Sequence, residues 1–509
     1  MPDGTSHELS LADTFAEAHK VREVTDPSPV VASSLHRLLL AIIHRVLGPK
    51  DESEWCNIWR GGEPDIRVDA LIDYLNCWKH RFDLFSQKWP FYQVAGFTTK
   101  NPSPVTRLRH ELASGNNYTL FDHSYESANT PMSPAEAARS LVATQNFALG
   151  GGRSETLYTR DAPVAKAAII LMRGDNLAQT LALNLIHYNH DSNVSEPFVG
   201  TGEDLPVWEK HSPPTPGIRR PTGYVDLLTW QSRILRLEPE ESEGSLVVRR
   251  VHFAQAEAVE TSQDDPIIDP LTAAVEHEKH GTVPLRFSPE RAVWRDSTAL
   301  MRMTTEEGGS RHRPSKNVQW VSRMADSGYI PLETTYRLCV LGLETDSRKA
   351  AKVNLWRRED MPLPISYLVD PNLVDCLTEA LVVAESIGRG LRASMWRLAK
   401  LILHPNSEDP DYQGTIDKKR VNKFADSFDT LRDYWGALDV EFTVLLEDLV
   451  ADQGAALDAW AKTCTSGAMT AFNRAVNGLE QNSRTMRAAT IVSGSFVGHL
   501  TRILGSDAS

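Results

Sequence analysis

At 509 residues the chain is too long for one hydrophobic core, and its length points to about two to four domains. Its apolar fraction of 41% and charged fraction of 24% are those of an ordinary globular protein and exclude a collagenous or wholly disordered chain. A net charge of −13, from 54 basic and 67 acidic residues, excludes a protein that coats nucleic acid by bulk charge, but leaves room for a local basic groove.

In chain order, the polar start MPDGTSHELSLADTF lacks a basic-then-apolar leader, and no run of 18 apolar residues exists, so a cytoplasmic location is expected. Residues 33–48 read as a strong helix ended by Gly48, and residues 69–85 as another. Residues 133–148 open with Ser–Pro–x–Glu, a capping-box-like start. Strand-like runs rich in β-branched residues follow at 244–254 and 334–344, separated by polar or Pro-rich connectors at 211–223 and 306–316. Residues 1–365 thus predict a large, irregular α+β domain with many loops. Beyond residue 371 the strand pattern vanishes, and helical stretches at 371–404, 417–449, 454–480 and 483–504 predict a C-terminal antiparallel four-helix bundle over 371–509.

The chemistry-bearing candidates are few. Cys56, Cys77, Cys339, Cys376 and Cys464 are scattered with no CxxC pair, against a disulfide framework or a cysteine zinc site. His187, His190 and Asp191 in HYNHD could share a metal on a helix, or be polar residues at a helix end; no HExxH spacing accompanies them. EHEKH at 276–280 reads as solvated surface, and no GxSxG elbow, GxGxxG or Walker motif occurs. No cofactor is expected, and the chain makes an unconvincing enzyme.

Residues 145–154, QNFALGGGRS, are more informative. Three consecutive glycines are entropically costly to order, so either the backbone there must approach a ligand closely, with Arg153 adding charge, or a helix ends in a loose connection. Basic clusters add to this: Arg311, Arg313 and Lys316 lie in one connector. Arg389, Arg392, Arg397 and Lys400 fall on one side of a helix at about 100° per residue. Lys418, Lys419, Arg420 and Lys423 open the next helix, against its dipole. These read as a backbone track for nucleic acid or as a solvated face.

RFDLFSQKWPFYQV (81–94), LFDHS (120–124), SPAEAARSLVATQNFALGGGRS (133–154), LPVWEK (205–210), GYVDLLTWQSRILRL (223–237), VPLRF…AVWRD (283–296) and WRREDMPLP (356–364) occur in that order. Together they resemble the CasA family, the large subunit of the type I-E CRISPR surveillance complex Cascade. The resemblance runs from about residue 10, past the point where family members carry a strand with a WIPV-like motif, so a shortened front is expected.

The resemblance implies a non-catalytic subunit that reads the protospacer-adjacent motif (PAM) through the minor groove, helps open the duplex and recruits a helicase–nuclease. Its partners would be guide-RNA-loaded backbone and small subunits and target DNA. The glycine loop of the family matches Gly150, Gly151 and Gly152, followed by Arg153. The family's wedge glutamine is replaced in ETDSRKAAKVN by Ser347, with Arg348 and Lys349 beside it. The family's groove-reaching lysine has no match in VHFAQAEAVE, where Gln255 is the nearest polar residue before the Asp269–Pro270 motif. Phe121 and His123 would flank the loop toward the guide's 5′ handle. Two other classes stay open: a metal-dependent nuclease built on His187, His190 and Asp191, and a purely structural interaction subunit.

Overall fold

A computed structural model describes residues 1–109, 130–150, 160–188, 202–260, 266–289, 291–303, 312–345 and 353–506. The chain forms two compact units, Met1–Val293 with Ala299–Val369, and Trp294–Thr298 with Asp370–Ser509.

In the larger unit, proline in the first turn and an apolar run make Pro29–Val46 a helix buried nearly all round, with Leu38 to Ile43 all buried. It is the one described helix with length and mean hydropathy suited to crossing a membrane, yet 83% of it is buried inside the fold, which makes it a core helix. The helix Pro134–Phe147 packs against it and starts as its sequence predicts, with the Ser133 hydroxyl accepting from Glu136 N at 3.2 Å. The helix expected over 69–85 stops early. Val68–Cys77 is helical, a short 3-10 turn spans Lys79–Arg81, and the chain then opens out. Gln93 satisfies that open backbone, donating from Nε2 to Leu84 O at 2.8 Å and accepting at Oε1 from Leu237 N at 2.7 Å.

Both expected strands form, as Ser245–Gln255 and Thr335–Thr345. The first lies between Ser103–Pro104 and Arg233–Ser242, and the second between Val353–Pro364 and Ile169–Arg173; all neighbours are antiparallel. Thr345 pairs with Val353, so residues 346–352 join the ends of a long hairpin. Gly217–Arg219 pairs in parallel with Glu257–Val259, and Ala274–His277 sits between Gly281–Pro284 and His312–Arg313.

The second unit is helical: Pro371–Leu403, Lys418–Asp426, Thr430–Ala451, Gln453–Asn477 and Ser483–Ser506. The single helix expected over 417–449 is broken: Lys418–Asp426 ends with Ser427 as its C-cap, and Asp429, left-handed (φ 50°), stands at the N-cap position of Thr430–Ala451 without a side-chain capping bond. Four long helices and one short one result. Trp294 stacks on Phe442 with centroids 4.7 Å apart, and the indole N–H of Trp460 donates to Ala380 O at 2.8 Å, so the aromatic core has its polar edge satisfied.

The core helix also carries two buried histidines. Burial pushes His44 down to about 3, and pushes His36 down to about 4 against the opposing bond to Ala32 O. Both are neutral in the folded protein at pH 7, while unfolded imidazoles protonate near 6.5. The unfolded chain therefore binds more protons as pH falls from 6.5 toward 4, and stability is lost across that window, by about 2 kcal/mol per histidine at pH 5. Urea unfolding at pH 7 and pH 5 should show this loss, and His44→Leu should remove about half of it. Equal pH dependence in the variant would contradict a neutral, buried His44.

Candidate nucleic-acid interface

The last turns of Pro134–Phe147 are buried although they carry polar residues, and those residues build a platform. Gln145 acts like a strand edge toward Arg233: its Oε1 accepts from Arg233 N at 2.8 Å and its Nε2 donates to Arg233 O at 3.0 Å. Asn146 accepts from Arg37 Nε at 2.8 Å, and the same guanidinium reaches Asp269 Oδ2 at 2.6 Å through Nη1. Arg37 and Asp269 form a buried pair that ties the core helix, this helix and the Asp269–Pro270 motif together. The pair is costly to bury, and removing either partner would leave an uncompensated charge.

On this platform sits the neck of the glycine segment. Arg233 is 2% exposed and carries no carboxylate on its guanidinium among the described residues. Its Nη2 donates to Ala148 O (3.0 Å), Leu149 O (3.2 Å) and Arg160 O (2.9 Å), and its Nη1 to Ser232 O at 2.8 Å. Burial pushes the group down to about 10, with Asp161 opposing, so it stays charged at neutral pH. The two stems are also joined directly, by Ala162 N to Ala148 O at 2.8 Å and by Gly150 N to Asp161 Oδ1 at 2.7 Å. Gly150 fits because it lacks a Cβ, which would stand 2.7 Å from the carbonyl carbon of Arg160. Gly151, Gly152 and Arg153 lie outside the described residues, as do Ser347, Arg348, Lys349, Phe121 and His123.

Gln255 is placed differently from its sequence expectation. It is 2% exposed, accepts from Arg160 N at 3.0 Å and donates to Ser232 O at 3.2 Å. Inward-facing on the sheet, it supports the second stem from beneath and does not extend into solvent.

The basic face of Pro371–Leu403 divides in two. Arg389 and Arg392 are exposed, with no ion pair among the described residues. Arg397 is held bidentately by Glu408, 2.7 Å at each contact, and Lys400 lies 3.3 Å from the same carboxylate. The Arg397 hydrogen bonds hold Glu408 down to about 2. The turn after the helix thus folds back and neutralises half of the expected track. Trp396 sits among these cations and donates to Asn422 Oδ1 at 2.8 Å, which joins the face to Lys418–Asp426. On that short helix Lys418, Lys419, Arg420 and Lys423 are exposed. The Asp417 carboxylate accepts from Lys419 N and Arg420 N, and so offsets the unfavourable placement of cations at a helix start.

Of the metal candidates only His187 lies among the described residues. His187 lies beyond the helix Leu177–Leu183, so the helical spacing assumed for it does not apply, and its ring stacks on Trp320 at 5.6 Å. His190 and Asp191 lie outside the described residues, among which no group of three metal-ligating side chains occurs. Arg313 is paired with Glu276 at 3.1 Å, and Lys316 begins the helix Lys316–Asp326; Arg311 is outside the described residues. The residues that sequence reading missed are Gln145, Arg233 and Arg37. One signal was available: Arg233 is in phase with the inward-facing Leu235 and Leu237 of its strand.

The profile of the family described as CRISPR-associated protein Cse1 matches residues 1–471. A relative from Thermus thermophilus, CRISPR-associated protein CasA/Cse1, is 34% identical over 494 residues, covering 94% of this chain and 91% of the relative. The crystal structure of Cse1 from Acidimicrobium ferrooxidans superposes with a TM-score of 0.79 at 25% identity, over 99% of this chain and 96% of that one. A chain of a CRISPR RNA-guided surveillance complex shares the fold, with a TM-score of 0.73 at 20% identity over 97% and 96% of the two chains. The chain belongs to the Cse1 (CasA) family, the large subunit of the type I-E CRISPR complex Cascade.

Proposed function

We propose that this chain is the non-catalytic, PAM-reading subunit of its Cascade, working in the cytoplasm beside guide-loaded backbone and small subunits. The glycine segment would enter the minor groove beside the protospacer, where bare backbone can approach base edges and sense groove width. The guide RNA then supplies sequence specificity by pairing, while the protein supplies the test that licenses opening. The observation that carries this reading is the neck: buried Arg233 and Gln255 hold both stems of residues 151–159 together. A loose connection would need no such holding. Ser347, Arg348 and Lys349, joining the ends of the long hairpin, would stand in for the wedge that starts strand separation. Phe121 and His123 would face the guide handle, and the helical unit would receive DNA backbone and a helicase–nuclease.

The test is substitution in the loop itself. Gly151→Asp places a side chain and a negative charge against the groove, and should bring the affinity ratio between PAM-bearing and PAM-scrambled duplexes close to one in guide-loaded complexes. Gel-shift titration at constant salt measures that ratio, and a ratio unchanged from wild type would sink the reading.

The helical face should behave differently. Arg389→Glu with Arg392→Glu should weaken binding to both duplexes equally, and should flatten the log–log salt dependence by about 0.9 for each phosphate that is no longer neutralised. Affinity measured across a salt series decides this; an unchanged slope would leave the face solvated only.

A further inference from the structure

A cavity of about 210 Å³ opens in the larger unit, lined by Arg81, Lys88, Trp89, Trp208, Lys210 and Gln231 among others. Arg81 is 8% exposed, and its guanidinium carbon stands 4.3 Å from the centroid of the Trp89 ring. Its one hydrogen bond among the described residues runs from Nη2 to Lys210 O at 2.7 Å, and no described carboxylate pairs with it. Burial lowers its proton affinity accordingly. A buried cation left without a counter-charge is costly, and it is stabilised by any anion that can enter.

A second polar group in the same cavity has no partner within the described fold. Gln231 is 8% exposed, and its side-chain amide has no hydrogen-bond partner among the described residues. It offers a donor and an acceptor side by side, the pattern that reads the edge of a planar heterocycle. Lys88 is exposed at the rim, 5.7 Å from the Trp89 centroid, while Lys210 is already occupied by Asp226. Trp208 is 2% exposed, with its indole N–H spent on Tyr74 Oη at 2.7 Å, and closes the inner side of the cavity, while the half-buried Trp89 supplies the accessible ring.

We propose that this cavity binds a single unpaired nucleotide, with its phosphate on Arg81 and Lys88 and its base against Trp89, edge toward the Gln231 amide. An acidic side chain from a protein partner would use the arginine but leave the amide and the aromatic wall without a purpose. The volume admits one base, not a stack. Cation plus aromatic surface is the combination that holds single-stranded nucleic acid. This second contact is independent of the glycine-loop reading, because it needs neither a duplex nor a PAM.

The full chain, titrated calorimetrically with 5′-AMP and with dAMP, tests this, with adenosine and inorganic phosphate as comparison probes. At least one nucleotide should bind, and adenosine and phosphate should each bind about tenfold or more weakly, since each lacks one half of the recognition. Lys88→Glu, on the surface, should weaken nucleotide binding about tenfold or more, and Gln231→Leu should weaken it with Lys88 intact. Lys462→Glu, at an exposed position of the helical unit to which no role is assigned, should leave it unchanged. No binding of either nucleotide at millimolar concentration, or wild-type affinity in both cavity variants, overturns the proposal. Phosphate binding as tightly as AMP overturns the nucleotide assignment.

Discussion

A guanidinium sealed from water must have its N–H donors occupied, and where no carboxylate is at hand it gathers carbonyls. Arg233 meets that requirement with Ser232, Ala148, Leu149 and Arg160, and so draws the end of one helix and the return of the following segment to a single point. The rest of the platform keeps that arginine in position. Gln145 grips its backbone from the helix, Gln255 takes the amide of Arg160, and the buried Arg37–Asp269 pair sets the helix on the core. Loss of the guanidinium would strand several buried acceptors at once, each costing about 1–3 kcal/mol. The two stems are therefore tied together at their base.

Charge is managed by the same economy of partners. With a net charge of −13 the chain repels nucleic acid over most of its surface, so under the proposed role affinity would come from a few placed cations and from the assembled complex. On the helical face only some cations are available, because Glu408 holds Arg397 and Lys400 while Arg389 and Arg392 stay exposed. A weak intrinsic grip would suit the proposed role, which requires release of duplexes lacking the correct flag. Tight nonspecific binding would erase the difference between right and wrong DNA.

Much of the architecture was legible in the sequence where local rules and tertiary context agree. The Ser133 cap, the strands Ser245–Gln255 and Thr335–Thr345, and the four long helices follow from capping and periodicity. Elsewhere tertiary contacts decide. The helical pattern runs unbroken through Phe424 and Phe428, whose rings meet at 4.9 Å, and nothing local announces the left-handed turn at Asp429. The helix after Val68 ends at Cys77 in local turns, Arg81 N to Trp78 O and Phe82 N to Lys79 O, and only beyond them does Gln93 take up Leu84 O. The site was half legible. Gly150 was readable as a position of close approach, although the approach the structure shows is to the backbone of Arg160. Gln255 was read only as the nearest polar residue to the missing lysine because its strand mates could not be known, and the Arg397–Glu408 pairing depends on a fold-back that spacing does not encode.

The central claim is that the neck held by Arg233 gives the complex its dependence on the PAM. The most direct measurement compares equilibrium affinity for a matched duplex with and without its PAM, using guide-loaded complexes that lack this chain, contain it, or contain Arg233→Lys. The account predicts that the wild-type chain tightens binding only on the PAM-bearing duplex. It also predicts that the lysine variant, which keeps the charge but cannot span the carbonyls, assembles yet loses most of that selectivity. Equal tightening of both duplexes by the wild-type chain, or full selectivity in the assembled lysine variant, would contradict it.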